Sequence, residues 1–415
     1  MPHTPHTIAL QDAARLSGPV AFQVMVKPGG SACNLDCRYC YYLEKAQLYD
    51  GREPKMDDAL LEKVIREAIE ANDIAEVTFT WHGGEPLLAG LDFFRRAMAL
   101  QQRYAGGKTI RNTLQTNGTL ITPDWAAFFR DNDFLVGLSL DGPADIHDAY
   151  RKDRGGQPTF PRVMRGLENL LRAGAEFNTL STVNRRSEGR GAEVYRFLKS
   201  LGSRYMQFLP VAEPGNPPYN VSGTGFGRFM CDIFDEWVLS DVGSCYVNLF
   251  DATLAGWCGL PPGTCVWGRA CGDSLTVEHN GDVYACDHFV DEAHRLGKLG
   301  ERSFREMMVL PQRIRFVTDK YDTLPASCRR CRWLPVCNGE CPQHRFVRSG
   351  NGRPENALCA GYKLFFSHAA PYMDVMRKLL AAGEAPAGVM AWASLRTASS
   401  PSFPTAKKSS YAKSP

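Results

Sequence analysis

The sequence predicts an α/β protein in which six β/α units build a parallel sheet and a small cysteine-rich domain, cross-linked by metal sites, follows. Three observations lead there. Short apolar or β-branched runs alternate with helical patterns up to about residue 240. Beyond that point Gly, Pro and Cys become dense, in segments such as GWCGLPPGTCVWGRACG and CRRCRWLPVCNGECP. The chain holds 14 cysteines in 415 residues and opens on a stretch with no cationic start and apolar core, so its thiols are expected to stay reduced in the cytoplasm.

Taken in order, the strands are expected at 21–27, 77–81, 110–116, 134–140, 176–183 and 205–211. From Asp58 onward, Leu60, Leu61, Val64, Ile65, Ala68 and Ile69 recur at helical spacing, with Glu62, Lys63, Arg66 and Glu67 on the opposite face. Thr122 followed by Pro123 marks the start of another helix, whose apolar face begins at Trp125. Phe160 to Ala173 and Gly191 to Leu201 continue the rhythm. Successive β/α units require parallel strands, because each crossover returns the chain to the same edge. The count fits both a partial TIM-like barrel and a doubly wound sheet; either puts ligand sites at the C-terminal strand ends.

The later region cannot build a large apolar core, so metal cross-linking is the expected solution. A hairpin, SLTVEHNGDVYAC, turns at Asn280-Gly281, and Phe365 to Leu380 reads as a closing helix. The Ser/Pro/Lys-rich stretch from about Ala387 reads as a disordered tail. The expected organisation is an N-terminal extension over 1–20, a β/α domain over 21–240, an auxiliary domain over 241–380 and a tail over 381–415. With 44% hydrophobic and 22% charged residues and a net charge of +3, the chain has no field that argues for nucleic acid, and no apolar run argues for a membrane.

Cys33-x3-Cys37-x2-Cys40 follows the first strand, so three thiolates share one loop at a strand end. A closed structural zinc site takes four ligands, whereas an iron-sulfur cluster held by three cysteines keeps one iron open. The loop CNLDCRYC, with Tyr39 before the last cysteine, resembles the signature of the radical S-adenosylmethionine (SAM) superfamily. The turn Gly83-Gly84-Glu85-Pro86 after the second strand resembles a second motif of that superfamily. The resemblance implies a partial (β/α)6 TIM-like barrel that binds SAM. It makes Tyr39, Gly83, Gly84, Glu85, Asn117 in LQTNGTL, Ser139 in GLSLDGP and Arg151 in RKD candidate cofactor-binding residues, the last for the SAM carboxylate. Read without it, these positions are turns and a solvated charge run.

Eight further cysteines run Cys265-x5-Cys271-x14-Cys286, then Cys328-x2-Cys331-x5-Cys337-x3-Cys341-x17-Cys359. Eight thiolates fill two four-ligand sites, zinc or iron-sulfur, and connectivity cannot be read from spacing. The spacing resembles the twin-cluster SPASM extension of radical SAM enzymes. That resemblance implies one [4Fe-4S] cluster on Cys265, Cys271, Cys286 and Cys341, another on Cys328, Cys331, Cys337 and Cys359, and three clusters in all. Cys231 and Cys245 read as small buried hydrophobes, and Cys258 is given no role.

The runs GGEPLLAGLDFF, NTLQTNGTLI, FLVGLSLDGP, NGDVYACDHFV and CRWLPVCNGECP resemble anaerobic sulfatase-maturating enzymes over roughly residues 20–375. The resemblance implies oxidation of a Cys or Ser side chain to formylglycine, within a Cys/Ser-x-Pro-x-Arg segment of an unfolded sulfatase. It also implies a flavodoxin- or ferredoxin-like electron donor. Asp287, next to Cys286, matches the family's proposed base. Tyr42 is a candidate pocket or core residue, and His82, His288 and His344 lie near motifs. Two other readings stand beside this one: a radical SAM enzyme that makes thioether cross-links in peptides, and a non-enzymatic zinc-binding adaptor.

Overall fold

The structure, a computed structural model, describes residues 19–49, 55–272, 274–348 and 352–398. Six strands, β1 (Gln23–Val26), β2 (Glu76–Trp81), β3 (Thr109–Thr116), β4 (Phe134–Ser139), β5 (Phe177–Val183) and β6 (Tyr205–Pro210), lie parallel and pair in chain order. A doubly wound sheet reverses its strand order midway. This one does not reverse, so right-handed crossovers keep every helix on one face and the sheet is a partial (β/α)6 barrel.

The helices follow from local sequence. Asp57 caps α1 (Asp58–Ala71) by accepting from the Leu60 amide, and Leu61, Val64, Ile65, Ala68 and Ile69 bury against the sheet. After α2 (Leu91–Tyr104), Thr122 caps α3 (Pro123–Asp131) through the Trp125 amide, with Pro123 in the first turn. A short α4 (Ala144–Tyr150) precedes α5 (Phe160–Ala173), and α6 (Gly191–Ser200) leads into β6. The Ser222-capped α7 (Gly223–Ser240), rich in Phe and Gly, closes the sixth unit.

The β/α rhythm does not stop near residue 240. β7 (Tyr246–Val247) pairs parallel with β6, and α8 (Asn248–Trp257) follows it, with Leu249, Phe250 and Ala252 in the main core. The expected hairpin forms as β8 (Ser274–Val277) and β9 (Asp282–Tyr284), joined by β10 (Arg295–Lys298). It is not confined to a separate loop-rich unit, because β8 pairs in parallel with β1 and extends the same sheet to ten strands. The cysteine-rich chain is thereby stitched to the edge strand that launches the first cysteine loop.

Short helices α9 (Phe304–Met308), α10 (Pro311–Asp322), α11 (Ala326–Arg329) and α12 (Leu334–Cys337) carry the remaining cysteine segments, with a small ladder of β11 (Arg345–Arg348) and β12 (Pro354–Asn356). The closing helix is longer than expected: α13 (Cys359–Ala381) begins at a cysteine. The expected tail also needs correction. Residues Val389–Ala398 form α14, with Val389 and Ala393 buried in the core and Trp392 edge-on to Tyr372, so apolar side chains outweigh the local Ser/Pro bias. Residues 399–415 of the expected tail and residues 1–18 of the expected N-terminal extension lie outside the described residues.

Candidate active site

The chain leaves β1 through a buried Lys27 and enters the first cysteine loop. That loop is clamped from outside: the Asp36 amide donates to Lys152 O (2.8 Å) and the Arg38 amide to Tyr150 O (3.2 Å). It is clamped from inside by the turn after β2. Gly84 N donates to Gly30 O and Glu85 N to Ala32 O, each at 2.8 Å. Gly83 sits at φ +130°, and a Cβ on Gly84 would fall 2.1 Å from Ala32 O, so only glycines permit this contact. The close approach these glycines allow is to the backbone of the cysteine loop.

Glu85 is buried, and its carboxylate joins neighbouring strand ends. Oε1 accepts from Thr116 Oγ1 (2.8 Å) and Leu87 N (3.1 Å), and Oε2 from Asn117 N (2.8 Å). Burial pushes its carboxyl up to about 7, against the pull of those three donors. Asn117 Nδ2 donates to Asn34 Oδ1 (2.8 Å) and lies 3.8 Å from Cys33 Sγ. Ser139 Oγ, at the end of β4, accepts from Gln115 Nε2 (3.0 Å). Glu85 and Asn117 therefore meet beside Cys33, and Ser139 ends the next strand.

Arg151 does not belong to a solvated charge run. It is buried, its Nη2 donates to the buried Asp141 Oδ1 (3.0 Å), and Tyr39 donates its hydroxyl to Asp141 Oδ2. Arg151 Nε and Thr182 Oγ1 lie buried beside this pair with no partner in the protein, which is what a polar ligand would satisfy. Asp141 lies within the run GLSLDGP, but its role shows only once Arg151, Tyr39 and Thr182 are brought to it.

A second constellation surrounds Asp287. Tyr41 donates its hydroxyl to Asp287 Oδ2 (2.7 Å), and Cys286 Sγ lies 3.7 Å from Oδ1. Burial alone would raise this carboxyl, but His288, Lys27, His82 and the Tyr41 hydrogen bond hold it below the usual carboxylate range. Burial, with Lys27 alongside, pushes His82 down to about 4, and its Nδ1 accepts from the Gly83 amide (2.7 Å), which places the neutral ring's proton on Nε2. Burial likewise lowers Lys27, whose ammonium sits 3.5 Å from the centre of the Tyr42 ring without a hydrogen-bond partner. Tyr42 is a core residue: it packs with Tyr284 and Val290 and donates to the buried Glu278. Lys27, Tyr41 and Glu278 carry no mark in the sequence beyond a lysine and a glutamate at the ends of strand runs.

The eleven candidate thiols fall into three groups whose members act on one another electrostatically. Cys33, Cys37 and Cys40 form one group. Cys265, Cys271, Cys286 and Cys341 form the second, and Cys328, Cys331, Cys337 and Cys359 the third, which lines a cavity with Trp333, Tyr362 and Phe366. All 14 cysteines are free thiols. In the metal-free chain, burial pushes Cys33 and Cys271 up to about 11 and Cys37 and Cys337 up to about 12. Among the described residues no three His, Cys, Asp or Glu side chains close around a single metal ion. Lys320 and Arg345 face the second group, a cationic surround suited to an anionic cluster. His344 Nδ1 contacts Glu340 (3.0 Å), which also accepts from Asn356 and Tyr362, so this histidine belongs to a structural network. Cys245 is buried in the core, Cys231 packs partly buried against it, and Cys258 ends α8.

Comparison with known proteins agrees with this architecture. Residues 28–198 match the radical SAM superfamily, and residues 265–332 match an iron-sulfur cluster-binding domain. The chain is 46% identical over 389 residues to the serine-type anaerobic sulfatase-maturating enzyme of Bacteroides thetaiotaomicron, covering 88% of this chain and 94% of that one. It is 33% identical over 360 residues to the cysteine-type enzyme of Clostridium perfringens strain 13, covering 84% and 96%. It superposes with a TM-score of 0.79 and 31% identity on native anSMEcpe with bound AdoMet and Kp18Cys peptide, covering 86% of this chain and 99% of that one. Among the described residues no helix is long and apolar enough to cross a membrane. A SAM-dependent iron-sulfur enzyme by its sequence, its parallel barrel and its relatives alike, this chain belongs to the anaerobic sulfatase-maturating family of the radical SAM superfamily.

Proposed function

We propose that the chain oxidises a serine side chain in an unfolded sulfatase, within a Ser-x-Pro-x-Arg segment, to formylglycine. The serine preference is supported by the higher identity to a serine-type relative, 46% against 33% for a cysteine-type one. In this reading Cys33, Cys37 and Cys40 would hold one [4Fe-4S] cluster and each four-cysteine group another, about 12 irons in all. When bound, these groups supply a 5′-deoxyadenosyl radical for the serine Cβ hydrogen and a sink for the second electron. An external one-electron carrier of the flavodoxin or ferredoxin class supplies reducing equivalents.

The side chains do the rest. Gly83, Gly84 and Glu85 hold the turn against the Cys33 loop, while Asn117, Ser139, Tyr39 and Arg151 line the cofactor side of the strand ends. The observation that carries the reading is the position of Asp287, next to Cys286 and hydrogen-bonded by Tyr41, the residue that directly follows Cys40. Asp287 takes the hydroxyl proton as the alcohol carbon becomes an aldehyde. Asp287→Asn keeps size and polarity but removes basicity. It is expected to retain iron and 5′-deoxyadenosine formation while formylglycine falls by roughly 10²-fold, read by chromatography and mass analysis in parallel. Wild-type product formation in an iron-replete variant contradicts this role.

A further inference from the structure

We propose that Tyr41 is a positioning residue for this base: its hydroxyl holds Asp287 Oδ2 and leaves Oδ1 as the atom that takes the substrate proton. The inference rests on Asp287 as the base. Two side chains bond to this carboxylate, the Tyr41 hydroxyl at 2.7 Å and the Cys286 thiol at 3.7 Å from Oδ1. A sulfur bound to metal is a thiolate and has no proton to donate. In the loaded protein the tyrosine hydroxyl is then the donor that remains, and Oδ1 is the oxygen left open.

Tyr41 is itself held firmly. Its ring packs on His288 (centroids 4.7 Å apart) and edge-on to Tyr42 (6.0 Å), and Tyr42 is fixed beneath the Lys27 ammonium with its hydroxyl on Glu278. The placement matters as much as the bond. Tyr41 directly follows Cys40 and Asp287 directly follows Cys286, so one hydrogen bond between residues 246 positions apart ties the first cysteine loop to the second cysteine group. It sets where the proton acceptor stands relative to the place where the hydrogen atom is removed. A base free to rotate by an ångström loses much of its advantage.

The test is a double-mutant cycle of Tyr41→Phe and Asp287→Asn, assayed anaerobically with SAM, reductant and a serine-containing peptide. Iron content, 5′-deoxyadenosine, formylglycine and the peptide KM are measured for each variant. Tyr41→Phe is expected to keep its iron, its SAM cleavage and its KM, while formylglycine per 5′-deoxyadenosine drops roughly 10-fold. In the Asp287→Asn background the same change is expected to cost nothing further, because residues acting as one unit are not additive. An unchanged product ratio in Tyr41→Phe overturns the proposal. So does an equal further loss in the Asn background, or a joint loss of iron and SAM cleavage, which makes Tyr41 a support of the cluster loop. A wild-type ratio in Asp287→Asn alone overturns the base assignment and the proposal with it.

Discussion

Arg151 and Asp141 form a buried ion pair, with side chains 9% and 0% exposed, and such pairs cost most when one partner is removed. Arg151→Ala should destabilise the SAM-free protein by about 3–5 kcal/mol, because the Asp141 carboxylate stays buried without its counter-charge. Adding Asp141→Asn should recover part of that loss in thermal or denaturant unfolding. An Arg151→Ala variant that unfolds like wild type would reduce Arg151 to a cofactor contact. His147 gives a pH signature at the same spot. Burial pushes its ring down to about 4, below its ordinary 6.5, and it sits on Thr159. A depressed histidine binds fewer protons folded than unfolded, so its contribution is fully present above pH 6.5 and declines as pH falls toward 4. Wild type should lose up to about 3 kcal/mol more than His147→Gln across that window, measured by denaturant unfolding. Residues of this kind divide sharply in legibility. The thiols stand out by type and spacing, and Asp287 only through the family resemblance; Asp141, Tyr41 and Glu278 take their meaning from partners roughly 10 to 250 positions away.

At the scale of elements, all six principal strands lie within a residue or two of where alternation and β-branching put them, and the Thr122 cap and Pro123 start of α3 are as read. Strand order was not legible: six β/α units fit either winding, and pairing in chain order decided between them. The sequence also hid α14, whose Val389 and Ala393 have meaning only against the core they enter, and the docking of β8 on β1. Helix contact supplies the element-level prediction. α13 crosses α7 through glycines, and a Cβ on Gly361 would lie 1.9 Å from Gly223 O and 2.9 Å from Gly227 N. Those are backbone atoms that cannot rotate aside. Gly361→Ala should therefore part the helices at a cost of about 1–3 kcal/mol. Since Cys359 opens α13 two residues earlier, the variant should also lose up to about four irons while 5′-deoxyadenosine formation persists. Unaltered stability and iron content would show that the crossing relaxes without consequence.

At the scale of the whole molecule, the barrel and the cysteine-rich segment share one sheet and one continuous core. β8 lies against β1, and Asp287, beyond the hairpin, meets Tyr41, beyond the first cysteine loop, across that shared edge. The shared edge thus brings Asp287, beside Cys286, up to the loop that carries Cys40. The measurement that tests the proposed oxidation most directly is anaerobic incubation of the iron-replete protein with SAM, reductant and paired peptides carrying Ser-x-Pro-x-Arg and Cys-x-Pro-x-Arg, followed by mass analysis. The account predicts that the serine peptide loses two hydrogens to become the aldehyde, with 5′-deoxyadenosine formed in step and faster turnover than on the cysteine peptide. A protein that cleaves SAM yet leaves the serine peptide unchanged, or links the cysteine peptide through a thioether, would contradict it.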